Sequence, residues 1–180
     1  MNENTLLELL RETGQGDLQS FEKLYGLSAP KLFSLCRQLM QSDALAEEIL
    51  QESFVQIWRE AHRYDQRRAS AFTWMATIAR HKAIDELRRR AREHRGRESL
   101  AAQPSPQLPG LLDTLLDDAQ TRALDRCLNQ LSARQKETIV LAFFRGLTHS
   151  ELAKSLSAPV GSIKSWIRRG MEQLKLCLQK

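Results

Sequence analysis

Five side chains near the carboxy terminus, Ser162, Lys164, Ser165, Arg168 and Arg169, are donors of the kind that meet base edges and phosphates. They follow a strong helix-start signal. Thr148, with Glu151 three residues on, forms a capping box that starts a short helix, and Leu152, Ala153 and Leu156 supply its inward face. Pro159 suits the start of the next helix, because its missing amide costs nothing in a first turn and it stops the preceding helix. Two short helices joined by a tight turn follow. The second turns Val160, Ile163, Ile167 and Leu174 inward and the five donors outward, and in such a unit it is the second helix that enters the DNA major groove. Lys164 and Arg168 lie four apart on one face and suit base contacts, while Arg169 suits a phosphate. The competing reading is a helical hairpin with a solvated basic face. The capping box, the proline turn and the local positive charge together favour DNA. Trp166 has an intermediate phase that fits either packing or a place beside the DNA backbone.

A second constellation runs from Arg59 to Arg97, where cations interleave with Tyr64, Phe72 and Trp74. Cations track a nucleic-acid backbone and aromatic faces stack on unpaired bases, so this is the chemistry of single-stranded DNA. Phe72 reads better as a core residue, and the phase of Trp74 leaves its place open. A third group, Asp43, Glu47, Glu48, Gln51 and Glu52, lines one side of a helix whose other side is apolar. It repels DNA and suits a basic protein surface, or is simply a solvated face. His81 and Asp85 are four apart, a spacing that also describes an ordinary exposed helix pair. No phosphate loop, nucleophile elbow or Cys/His cluster accompanies them, so neither catalysis nor a metal or cofactor is expected. Cys36, Cys127 and Cys177 are far apart and read as thiols used as small core residues.

The elements that must position these residues are helices almost throughout, because apolar residues return at three and four rather than two. The aromatic share of 6% fits small helical units better than a sheet core. One helical stretch covers residues 17–40, with a break around Gly26 to Pro30; Ser42 and Asp43 then cap a helix carrying Leu50, Phe54, Ile57 and Trp58. A polar loop from Tyr64 to Ser70 precedes a helix over 71–92. After Glu93 the periodicity fails, and Pro104, Pro106, Pro109 and Gly110 mark a linker, with Leu111, Leu112, Leu115 and Leu116 as a docking turn inside it. Four further helices are expected over 121–129, 132–144, 148–156 and 160–178. The fold is therefore all-α, with two small helical domains, residues 1–93 and 121–180, joined by a flexible linker over 94–120. Charge is divided in the same way: residues 1–58 carry net −5, 59–97 net +7, 98–130 net −3 and 131–180 net +6. Two basic blocks suggest two contacts with a polyanion, and the acidic first block suggests a different partner. With no secretion signal and no stretch of about 20 apolar residues, a cytoplasmic location is expected.

The order of motifs resembles a known family. Asp43-Ala44-Leu45-Ala46-Glu47-Glu48-Ile49-Leu50-Gln51-Glu52-Ser53-Phe54-Val55-Gln56-Ile57-Trp58, followed by Phe72-Thr73-Trp74-Met75 and on to Asp85, is similar to the second conserved region of bacterial sigma factors. Leu131-Ser132-Ala133-Arg134-Gln135-Lys136 and the helix from Pro159 resemble the fourth. The short connection between them looks like the extracytoplasmic-function group. This resemblance implies a transcription initiation factor that binds core RNA polymerase through Glu48, Gln51, Glu52, Phe54 and Trp58. It also implies that Trp74, Arg80, His81, Lys82 and Asp85 melt and read the minus-ten promoter element. Ser162, Lys164, Ser165, Arg168 and Arg169 would read the minus-thirty-five element. An anti-sigma factor is implied as regulator, and no stable homo-oligomer. Two positions depart from the pattern: His81 stands where relatives often carry Asn, and Trp166 where Arg is frequent. A dimeric helix-turn-helix repressor is the competing class, and it would leave the acidic and aromatic helices without a role.

Overall fold

The computed structural model describes residues 2–95 and 118–179. Its contacts divide the chain into two compact units, 1–102 and 103–180. The first contains α1 (Glu3–Gly14), α2 (Leu18–Met40), α3 (Asp43–Glu60), a single 3-10 turn (Ala61–Arg63) and α4 (Ala71–Arg95). The second contains α5 (Asp118–Asn129), α6 (Ala133–Phe144), α7 (His149–Ser155) and α8 (Val160–Leu178). The two helices that border the expected linker each run three residues further than the sequence periodicity indicated. The rest of that linker, with the expected docking turn at Leu111 to Leu116, lies outside the described residues.

The core of the first unit is built from one face of each helix. Leu6, Leu9 and Leu10 of α1 are buried with Leu24, Leu32, Leu35 and Cys36 of α2, Ile49 and Ile57 of α3, and Met75 and Ile78 of α4. Ala46, Ala71, Ala79 and Ala83 are also buried, and their small side chains suit close approach of helix backbones. The hydroxyls of Thr13, Ser28 and Ser53 are buried too, and each donates to the carbonyl four residues earlier, so none of the three is stranded.

The break expected between Gly26 and Pro30 is absent, and α2 runs unbroken with Pro30 inside it. A proline in a helix interior costs about 3 kcal/mol through its lost donor and its ring clash. Each large apolar side chain that α2 buries returns about 1.5 to 3 kcal/mol, so packing overrides the local penalty. Ser42 does occupy the N-cap of α3, but its side chain makes no capping bond, and Asp43 instead accepts from Arg37 at 2.9 Å.

The reading of all three cysteines as free thiols holds only for Cys36, whose burial pushes its thiol up to about 12. Cys127 of α5 and Cys177 of α8 form a disulfide with Cα atoms 5.8 Å apart. The second unit's apolar cluster of Cys127, Leu128, Leu131 and Leu174, flanked by Leu124, Ile139 and Cys177, brings together sulfurs 50 residues apart in sequence.

Candidate nucleic-acid interface

In the second unit, Thr148 and Glu151 form the expected capping box. The Glu151 amide donates to Thr148 Oγ1 at 3.3 Å, and the Thr148 amide donates to Glu151 Oε2 at 2.7 Å. The chain then turns through Ser157, which holds a left-handed φ of 49°, and re-enters helix after Pro159, the N-cap of α8. Ile163 is fully buried and Leu174 nearly so, which fixes the rotation of α8. At Gly170 an added Cβ would lie 2.6 Å from Ile139 Cδ1 and 3.3 Å from Gln135 Cβ, so the missing side chain is what lets α6 and α8 pack this closely. With that rotation set, Lys164, Arg168 and Arg169 are exposed, while Ser162, Ser165 and Trp166 are half-buried. Arg168 also pairs with Glu172 one turn on, at 3.3 Å. Val160, expected to face inward, is 39% exposed, because it opens the helix ahead of the buried stripe.

In the first unit, α4 presents a graded surface. Trp74 is half-buried and meets the ring of Tyr64 edge-on, with centroids 5.6 Å apart. Phe72, read as core, is only half-buried. His81 and Asp85 are exposed, and Arg80 and Lys82 are half-buried. Burial, with a smaller contribution from Arg88, lowers the pKa of Arg80.

Residues 24–93 match the family Sigma-70 region 2, and residues 121–174 match Sigma-70, region 4. The ECF RNA polymerase sigma factor SigK of Mycobacterium sp. strain KMS is 33% identical over 172 residues, covering 94% of this chain and 89% of the relative. Its counterpart in Mycolicibacterium vanbaalenii is 32% identical, covering 94% and 87%. Rhodobacter sphaeroides SigE, solved in complex with the anti-sigma ChrR, is 29% identical over the whole of both chains, with a TM-score of 0.49. The chain is an ECF sigma factor.

As in its family, this sigma factor is a transcription initiation factor with a helix-turn-helix in region 4. In its region 2, the α3 residues expected at the polymerase interface split into two layers. Glu48, Gln51 and Glu52 are exposed, whereas Phe54 is 3% exposed and Trp58 half-buried, so the two aromatics sit deeper than the polar residues. Phe54 and Trp58 pack against Phe21, with centroids 6.1 and 5.1 Å away, and Tyr25 stands 4.5 Å from Phe54. Beside them runs an apolar groove of about 360 Å³ between Leu18, Phe21 and Tyr25 of α2 and Gln51, Phe54, Val55 and Trp58 of α3. Leu18, Tyr25 and Val55 are 58%, 42% and 51% exposed, so a repeat that reads as core is partly a surface. That signal was present in the spacing but gives no sign of which turns lack a covering helix. Glu52 and Lys82, placed by the sequence on different interfaces, are joined by a 3.1 Å ion pair. Farther along α4, Glu86 accepts from Arg89 and Arg90, and Arg89 also reaches Glu93. Part of the basic block is thus neutralised within the helix.

Proposed function

We propose that this sigma factor docks core RNA polymerase on the Glu48, Gln51 and Glu52 face of α3, with Phe54 and Trp58 as its support. Region 2 then melts and reads the minus-ten element through Trp74, Arg80, His81, Lys82 and Asp85. Region 4 reads the minus-thirty-five element through Ser162, Lys164, Ser165, Arg168 and Arg169. The observation that carries this reading is the segregation of surfaces: an acidic face on α3, an aromatic and cationic one on α4, and an exposed cationic one on α8. The domains are residues 1–93 and 121–180. Of the connection over 94–120, the roughly 22 residues between α4 and α5 reach about 75 Å when extended, enough for both promoter contacts at once. The protein acts by binding rather than by catalysis, in the cytoplasm, as a monomer held by an anti-sigma factor until released. No helix among the described residues is long and apolar enough to cross a membrane.

Transcription reconstituted from core polymerase and this chain, with start sites sequenced, tests the whole reading. Start sites that share upstream and minus-ten sequences are expected. The Trp74→Ala variant should lose most initiation on duplex promoters and recover only part of it on templates opened beforehand across the minus-ten element, where the ring still has unpaired bases to hold. Initiation without common sequences, or equal loss on both templates, overturns it.

A further inference from the structure

The helix that precedes the region 2 match holds both ends of the segment that leads into α4. At its start, Glu3 Oε1 accepts the backbone amide of Ala71, the first residue of α4, at 2.5 Å across 68 residues of sequence. That amide is one of the donors a helix cannot satisfy internally, and a carboxylate there also complements the positive end of the helix dipole. Ser70 Oγ takes the Thr73 amide at 3.3 Å, so Glu3 and Ser70 divide the capping of α4 between them. At the other end of α1, a Cβ on Gly14 would stand 3.0 Å from the backbone of Ala61 and His62, where the connection leaves α3. With 12 residues at 1.5 Å each, α1 is about 18 Å long and spans the connection from its first residue to its last.

Between those two points the connection is braced against α4. The Tyr64 hydroxyl donates to the Ala69 carbonyl at 2.9 Å, and the Tyr64 ring meets Trp74. Burial first, then the charges of Glu3 and Asp65, raise the pKa of Tyr64, which places the Glu3 carboxylate within electrostatic reach of this pair. Arg63 and Arg68 are exposed on the same connection.

We propose that α1 is a clasp for the residue 61–70 connection, and that Glu3 is a positioning residue for minus-ten recognition. It fixes the first turn of α4 and with it the Tyr64 and Trp74 surface that receives unpaired DNA. The proposal rests on α4 being the minus-ten reader. Glu3 touches no DNA itself, and its effect runs through the Ala71 amide.

The test uses holoenzyme assembled from core polymerase and the full chain, with a fork-junction probe single-stranded across the minus-ten element. Glu3→Ala should weaken probe binding roughly tenfold, the scale of a lost hydrogen bond to a charged group. It should leave core polymerase affinity unchanged. Glu3→Gln, which keeps an oxygen acceptor for the Ala71 amide, should recover most of the loss, an outcome that general destabilisation would not produce. Probe binding by Glu3→Ala equal to the parent overturns the proposal, and so does a parallel loss of polymerase and probe binding. Trp74→Ala is measured alongside. If it weakens probe binding while Glu3→Ala does not, only the clasp fails; if neither matters, the assignment of α4 to the minus-ten element fails first.

Discussion

Glu86 sits between two guanidinium groups on α4. Donation from Arg89 and Arg90 holds its carboxyl down to about 2, from an ordinary value of 4.5. A folded-state pKa below the unfolded one contributes stability at pH above about 4.5, and that contribution is lost as pH falls toward about 2. The helical signal of the parent should therefore exceed that of Glu86→Gln at neutral pH, and the two should converge near pH 2. A difference that persists unchanged across that window removes the ion pairs as its cause. At the other end of the chain, Lys164 and Arg168 share an exposed face of α8 and are the candidates for base contact. A good bidentate contact is worth about 1 to 3 kcal/mol of discrimination between bases, whereas a phosphate contact lowers affinity for every sequence alike. Across promoters substituted singly upstream, Lys164→Ala and Arg168→Ala should each relax one position, and Arg169→Ala should depress all of them together. Uniform loss from all three variants would reduce this face to an anchor. Arg168 must also give up Glu172 to reach a base, which makes its discrimination the smaller of the two.

The disulfide belongs to the scale of elements, because it ties the end of α8 back to α5. Closing a loop of 50 residues restricts the unfolded chain by about 4 kcal/mol in the chain-entropy model. Cys127→Ser should therefore lower the melting temperature of the second unit under oxidising conditions, and parent and variant should melt together once a thiol reductant is present. If the reductant leaves the parent unchanged, the bridge contributes nothing to stability. The contrast between this bridge and the helix-turn-helix shows what the sequence could carry. Thr148, Glu151 and Pro159 act within a few residues of themselves, so the chain spells them out, and the structure places the cap where the spacing does. Cys127 with Cys177, and Glu3 with Ala71, are pairings that only the finished packing makes, and no local period announces them. Pro30 misled for the same reason in reverse: its local chemistry opposes a helix that tertiary burial then imposes. Lys164, Arg168 and Arg169 were legible as exposed, whereas Ser162 and Ser165, read as outward with them, are half-buried. The aromatic layer that Phe54 and Trp58 form with α2 was not legible, because it depends on which helix lies alongside.

For the whole molecule, net charge is a poor guide to how strongly each surface attracts DNA. Residues 59–97 carry net +7 by sequence, yet Lys82, Arg89 and Arg90 each face a carboxylate in the folded chain. The Lys82 partner, Glu52, stands on the face proposed for polymerase, so one ion pair spans two surfaces with different tasks. Binding to a nucleic acid is read out by the small ions it displaces, and a lysine already matched by an internal anion displaces none until that anion lets go. The logarithm of affinity for single strands falls with the logarithm of salt by about 0.7 for each phosphate neutralised. Glu52→Gln should steepen the salt dependence of minus-ten strand binding by the free protein by about that amount, 0.7. In holoenzyme, where the polymerase would hold Glu52 instead, parent and variant should show the same slope. Identical slopes for the free proteins would mean that Lys82 does not reach the strand. On the proposed assignment of Glu52 to polymerase and Lys82 to the strand, the ion pair makes polymerase the agent that sets how many salt ions promoter binding releases.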